Sequence, residues 1–335
     1  MESHFVVALA FLAVGIMGGH AGGPPPEMYW KRVLPNSPMP KAVKDSLQFA
    51  TGATVNEGNN GLEIITGKPG RKTQITAGKG VATVSKDPRG KAVFVGVHPG
   101  YTPGFIYNYA ANETQLHDNP NTAFFFLEKD LTPGTKINFH LAKSDNRAIF
   151  LPRVVSESIP FSSEKLPEIL KELSVSPGSG EAKSIEQTIR ECEAKGVAGE
   201  EKYCATSLES MVDFAVSKLG RNVEAVSTDV KKETRVGKYT VSGERKMAGG
   251  DEVVICHKQN YAYAVFYCHL TKSSVAYAVT LMGADETKVT VMAVCHADTS
   301  TWNPRHVAFQ VLKITPGTLP VCHFLPEDHI VWVAK

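Results

Sequence analysis

Dense apolar patterning begins at Ala123-Phe124-Phe125-Phe126-Leu127 and continues to Lys335. Three helices are legible at the front of this stretch. Leu166, Ile169, Leu170 and Leu173 recur on one helical face. Ser184 with Gln187 has the form of a capping box, and Ile185, Ile189 and Cys192 continue as a stripe behind it. Thr206 with Glu209 repeats that signature ahead of Leu208, Met211, Val212, Ala215, Val216 and Leu219, and Gly220 is a natural stop. From about residue 235 the period changes to two. The segments Val253 to His257, Tyr261 to His269, Val275 to Leu281, Lys288 to His296, Val307 to Ile314 and Ile330 to Val333 read as strands. Gly249-Gly250, Gly283-Ala284-Asp285, Asn303-Pro304 and Pro316-Gly317 supply turn chemistry between them. Helices followed by a run of strands predict an α+β domain with a largely antiparallel sheet, spanning residues 121–335.

The chain before it reads differently. Residues 22–120 are rich in Pro and Gly with short apolar runs, and Gly61 to Lys68 resembles Gly80 to Lys86 as a degenerate repeat. Such pieces form short strands but carry too little apolar surface for a core of their own, which predicts an extended, mobile leader. Phe5 to Met17 is an apolar block interrupted only by Gly15, too short for a bilayer but suited to the core of a signal peptide. The small residues Gly19 and Ala21 place cleavage after Ala21, giving a signal peptide over residues 1–21. The flank is atypical, with Glu2 and His4 in place of a basic residue; the alternative is a buried N-terminal helix, which the Gly-Gly-Pro-Pro-Pro run at Gly22 to Pro26 disfavours. No apolar run reaches the ~18 to 20 residues of a membrane span.

Composition narrows the classes. Hydrophobic residues make up 42% and charged residues 21%, which excludes global disorder. The net charge of +2, or 36 − 33 = +3 once Glu2 leaves with the signal, gives no field for nucleic acid. Secretion would make Asn112-Glu113-Thr114 a glycosylation acceptor at Asn112. It would also direct the six cysteines towards disulfides. Cys192 and Cys204 fall between two predicted helices, where a bridge would close a short connection.

The most specific signal is four adjacent Cys-His pairs: Cys256-His257, Cys268-His269, Cys295-His296 and Cys322-His323, with gaps of 10, 25 and 25 residues. That spacing resembles the signature of plant BURP-domain proteins. Phe124-Phe125, Cys256-His257-Lys258-Gln259-Asn260-Tyr261, Trp302-Asn303-Pro304 and Val321-Cys322-His323-Phe324-Leu325-Pro326-Glu327-Asp328-His329 match as well. Within the leader, Tyr29-Trp30-Lys31, Leu34-Pro35-Asn36-Ser37-Pro38-Met39-Pro40-Lys41 and Asn108-Tyr109-Ala110-Ala111 resemble the dehydration-responsive subfamily.

On a strand, neighbouring side chains point to opposite faces, so each cysteine diverges from its histidine. One set would then form disulfides, with Cys256, Cys268, Cys295 and Cys322 pairing among themselves. The other set, His257, His269, His296 and His323, would be free to hold copper, or zinc, in one site or two smaller ones. Two other readings stand beside this one: hydrogen-bonded core histidines next to disulfides, and zinc shared between thiolates and imidazoles. His306 and His329 are further ligand candidates, Glu327-Asp328 could orient an imidazole, and His98, His117 and His140 read as surface residues.

The resemblance implies a secreted, apoplastic cell-wall protein active in growth or stress. It also implies an alternative, because some members are copper-dependent cyclases that act on a peptide in their own leader. Here Tyr29, Trp30, Tyr101, Tyr107 and Tyr109 are the leader's tyrosine and tryptophan residues, and none sits in a repeated glutamine-led peptide. A further alternative is a non-catalytic subunit of a pectin-degrading enzyme. The partners implied are cell-wall polysaccharide and wall-modifying proteins of the expansin or polygalacturonase type. No Gly-x-Ser-x-Gly elbow marks a hydrolase.

Overall fold

The computed structural model describes residues 26–48, 54–58, 61–66, 73–78, 81–85, 125–139, 146, 148–196, 200–230 and 237–335. The signal segment with Ala21, the acceptor Asn112, and His98, His117 and His140 lie outside these residues. Two helices come first, α1 (Pro26–Val33) and α2 (Lys41–Gln48). Four short strands follow, β1 (Thr54–Gly58), β2 (Gly61–Thr66), β3 (Thr73–Gly78) and β4 (Val81–Ser85), paired antiparallel in sequence order. Next come β5 (Phe125–Leu127), β6 (Lys136–Phe139) and the helices α3 (Arg153–Ser158), α4 (Leu166–Glu172) and α5 (Gly180–Glu193). Strand β7 (Glu201–Ala205), helix α6 (Leu208–Leu219) and strand β8 (Val223–Val226) lead into β9 (Gly237–Lys246), β10 (Val253–Lys258), β11 (Phe266–Thr271), β12 (Ser274–Gly283) and β13 (Lys288–His296). Helix α7 (Val307–Leu312), β14 (Val321–Phe324) and β15 (Ile330–Ala334) close the chain.

Besides the leader strands, the described residues form two antiparallel sheets. One has five strands in the order β7-β11-β10-β15-β8, the other six in the order β5-β14-β13-β12-β9-β6. They pack face to face, because alternate residues of each strand meet in a shared layer. Val253, Ile255, Val331 and Val333 come from one sheet, and Ala276, Met292 and Val294 from the other. The residues in between point outward. Val254, Cys256, Cys268, Leu270 and Trp332 pack under α6, and Val291, Ala293, Cys295, Cys322 and Phe324 form the far layer of the six-stranded sheet. The α+β class with antiparallel sheets is as expected from the sequence.

Four local expectations need correction. Residues 307–314 are not a strand but contain α7, started by His306 and stopped by Lys313 in the left-handed conformation. Its buried face joins Ala308 and Phe309, and Val311 is exposed, so helical spacing wins over apparent alternation. Residues 261–264 are not in β11; they run buried on successive positions between two cores, with Ala264 N–H donating to Ile149 O at 2.8 Å. Helix α5 is capped by Ser179 rather than Ser184, and α6 by Ser207, whose hydroxyl accepts from Ser210 N–H, rather than Thr206. Finally, the leader is not an extended arm throughout, since α1 and α2 bury Trp30, Leu34, Ala42, Val43 and Leu47 in the same core as α6.

Candidate metal centre

Strand pairing explains the Cys-His dipeptides. Cys256 lies directly opposite Cys268 across the β10–β11 ladder, and the two are disulfide-bonded with Cα atoms 4.0 Å apart. Cys295 lies opposite Cys322 across β13–β14 in the same way, at 3.9 Å. Close facing positions of this kind bring Cβ atoms within reach of a bridge. Cys192–Cys204 joins α5 to β7 as the sequence led us to expect, and no cysteine is left free among the described residues. With these sulfurs in disulfides, no thiolate stands beside the imidazoles to share zinc with them.

The residue after each cysteine points the other way, into the layer between the sheets. His257 faces Tyr267 in register while His269 faces Ile255, so the two imidazoles are diagonal neighbours beneath their disulfide. His296 and His323 stand in the same relation to theirs. All four are at most 2% exposed. The structure thus brings the four predicted histidines together in two pairs, one per sheet. His257 Nε2 lies 3.1 Å from His269 Nε2, and His296 Nε2 lies 3.3 Å from His323 Nε2. The rings within each pair are stacked, with centroids 5.2 Å and 5.4 Å apart. The pairs also sense each other. Burial is the main cause that holds His257 well below its usual range, but charges on His329, His269, His323 and His296 add to it. Burial likewise depresses His296, with help from His323, His269 and His306. His323 is pushed down to about 3, again chiefly by burial.

The outward nitrogens have partners that fix where each ring carries its proton. His269 Nδ1 lies 2.7 Å from Glu200 Oε1, off the axis of an ideal hydrogen bond but well placed for N–H to carboxylate attraction. His323 Nδ1 is 3.4 Å from Phe324 O, which only accepts. Ser274 Oγ donates to Lys272 O and so is an acceptor for His296 Nδ1, 3.0 Å away. His257 Nδ1 is 2.9 Å from His329 Nδ1, and Asp328, 3.8 Å from His329 Nε2, favours the His329 proton on that far side. His257 then donates from Nδ1. In this arrangement the four Nε2 atoms face one another two against two, and with the protons on Nδ1 they would present lone pairs.

The donor set fits a borderline cation. Two nitrogens each about 2.0 Å from one tetrahedral ion stand about 3.3 Å apart, close to both pair separations. The N–H groups turned outward towards carboxylate, carbonyl and hydroxyl are the usual support for metal-bound imidazole. Among the described residues, no group of three or more His, Cys, Asp or Glu side chains is gathered at metal-holding separation; the donors are presented in twos.

Of the other candidates, His329 supports His257, and His306 Nδ1 accepts from Ala308 N–H as the cap of α7. Trp302 lies between His306 and His296, with ring centroids 4.9 Å and 5.0 Å away. Sequence reasoning missed Glu200 and Ser274. Glu200 precedes the edge strand β7, and neither residue lies in a recognisable motif.

This constellation, with its sulfurs outward and imidazoles inward, defines a disulfide-stapled sandwich built around paired Cys-His strands. The chain belongs to the BURP-domain family, whose model matches residues 124–334. It is 55% identical to BURP domain-containing protein 3 of Oryza sativa subsp. japonica over 99% of each chain. It is 44% identical to BURP domain protein RD22 of Arabidopsis thaliana, over 92% of this chain and 93% of that one. Protein RAFTIN 1B of Triticum aestivum is 34% identical over 99% of this chain and 98% of its own. The resemblance to the dehydration-responsive type thus holds along nearly the whole chain. No helix among the described residues is long and apolar enough to cross a membrane.

Proposed function

We propose that this protein is a secreted, wall-associated BURP protein of the dehydration-responsive type that holds copper on His257, His269, His296 and His323. The observation that carries this reading is the facing of Nε2 atoms at 3.1 and 3.3 Å while the outward nitrogens meet hydrogen-bond acceptors. Facing lone pairs repel unless a cation lies between them. A proton is disfavoured there because burial and the neighbouring imidazoles oppose a positive ring. A metal ion at a pair would satisfy its two facing nitrogens. Copper(II) outcompetes zinc at nitrogen sites, although zinc fits the same donors.

Bound copper would supply a one-electron redox centre. The chain's own residues hold the imidazoles in one tautomer, keep water out and brace each pair against a disulfide. The paired state of every cysteine supports an oxidising compartment. The apolar segment from Phe5 to Met17 supports export, and Asn112 is a glycan acceptor in that setting. We place the protein in the apoplast, with cell-wall polysaccharide or wall-modifying proteins of the expansin or polygalacturonase type as its partners. The small net charge of +2 limits any contact with acidic pectin to a weak one that salt screens.

Copper titration of metal-free secreted protein, followed by electron paramagnetic resonance, tests the reading. Hyperfine splitting from imidazole nitrogens, lost in His269→Ala and His323→Ala, supports it. A spectrum unchanged in both variants refutes it.

A further inference from the structure

The segment 26–48 lies outside the stretch matched by the family model, yet it is built into the core. Trp30 is 2% exposed and packs at a tilt against Trp332, itself 0% exposed, with ring centroids 5.3 Å apart. Leu34, Val43 and Leu47 join the same layer as Leu208, Met211 and Val212 of α6, over the Cys256–Cys268 disulfide.

Polar contacts fix the segment along its length. Tyr29 donates to Asp213, which Arg153 also reaches at 2.5 Å. Trp30 Nε1–H donates to Ser37 O at 2.8 Å, and the Ser37 hydroxyl donates to Val223 O. Ala42 N–H donates to Ser227 Oγ at 3.2 Å, and Lys335 Nζ to Asn36 O at 2.8 Å. At the far end Phe150 N–H donates to Ser46 O at 3.1 Å. The half-buried Lys258 side chain donates to Ser46 Oγ at 3.1 Å and to Asn146 O and Ala148 O at 3.0 Å each.

No cysteine precedes Cys192, so no disulfide holds this segment. Removing it would uncover Trp332 and the apolar face of α6, and leave the Lys258 ammonium short of an acceptor.

We propose that residues 26–48 are a non-covalent stave of the domain, held in place without the covalent connection through the 124 − 48 = 76 residues between it and β5. The groove between α6 and the five-stranded sheet is then a receptor for a Tyr-Trp-led amphipathic segment, filled by the chain's own N-terminal region. Proteolysis within residues 49–124 would cut that connection without releasing the stave.

The test uses the full secreted chain with a protease recognition sequence inserted between Pro99 and Gly100. After cleavage, confirmed on a denaturing gel, both pieces should elute together at the size of the uncut protein. Elution of the N-terminal piece alone would overturn the proposal, and so would co-elution at twice that size, which would mean exchange between copies. Trp30→Ala with Leu34→Ala in the cut protein should separate the pieces; retention would overturn the role given to these contacts. Hydrogen exchange on the uncut, unmutated protein gives an independent reading. The amides of Leu34 and Lys44, which bond Trp30 O and Pro40 O, should be protected on the order of 100-fold or more. Exchange at the unfolded rate would overturn the proposal.

Discussion

Glu200 Oε1 stands 2.7 Å from Nδ1 of His269, with both side chains buried. The carboxylate comes from the residue just before edge strand β7, while the imidazole belongs to β11, paired beside it. A buried carboxylate there holds the His269 proton on Nδ1 and turns Nε2 towards His257. Glu200→Ala is expected to lower copper affinity about 10- to 100-fold, measured by competition with a chelator. Glu200→Gln, which keeps a carbonyl acceptor, should lose less. Equal losses would argue against the orienting role.

The disulfide behind each histidine pair should matter for both stability and metal. Cys256 and Cys268 are 12 residues apart in sequence, and Cys295 and Cys322 are 27 apart. Loop-closure entropy puts the double-alanine variants at about 3 and 3.5 kcal/mol of lost stability in denaturant unfolding. Each should also weaken copper binding, because it loosens the ladder that sets two imidazoles side by side. A variant with unchanged copper affinity would separate the disulfides from the site.

The metal-free protein should be sensitive to acid. His257, His296, His323 and His329 all have folded-state pKa values below the ordinary value of 6.5, mainly because they are buried. Between those depressed values and about 6.5 the unfolded chain binds more protons than the folded one, so stability falls as pH falls. Above about 6.5 both states are neutral at these rings and the dependence vanishes. Each such histidine contributes a slope of about 1.4 kcal/mol per pH unit inside the window. Urea unfolding at pH 7.5, 6 and 5 should show the decline; a flat profile from 7.5 to 5 would contradict it.

Lys258 follows His257 directly but does a different job. Its side chain is half-buried and its ammonium meets three oxygens. Burial lowers its pKa, while Asp328 and Asp45 act to raise it. Lys258→Met leaves those acceptors without a donor, at a cost of about 1–3 kcal/mol in unfolding experiments. No loss would show that the tie to Ser46 is dispensable.

His306 shows that burial beside the site does not make a ligand. Its Nδ1 caps α7 by accepting from Ala308 N–H at 3.2 Å. His306→Asn, which retains a capping acceptor, should bind copper with unchanged stoichiometry, while His306→Ala costs about 1 kcal/mol of stability. Loss of copper from His306→Asn would promote it to a ligand.

Much of this arrangement could be read from the sequence. Alternation along β10, β13 and β15 placed Cys256 and His257, or Cys295 and His296, on opposite faces, and that parity holds. The helices around Leu166 and Leu208 were visible from their spacing. What escaped had physical reasons. Val307-Ala308-Phe309-Gln310-Val311 alternates like a strand, but the His306 cap and the left-handed Lys313 make it helical. Tyr261 to Ala264 is apolar at every position because two cores flank it, not because a sheet does. Strand β7 is short, charged at Glu201 and Lys202 and on a sheet edge, so its pattern gave no warning of Glu200. Trp30 lay in a Pro-rich stretch whose local pattern is that of a linker; only its partner Trp332, distant in sequence, makes it core.

Metal content per chain, measured by mass spectrometry on protein secreted in the presence of copper and zinc and then stripped of loosely bound ions, tests the central claim most directly. Copper held on the paired histidines predicts stoichiometric copper in the native protein and none in His257→Ala with His296→Ala, which removes one ligand from each sheet. A native protein that is folded and disulfide-bonded but carries neither metal would contradict it, leaving the imidazole pairs as core residues.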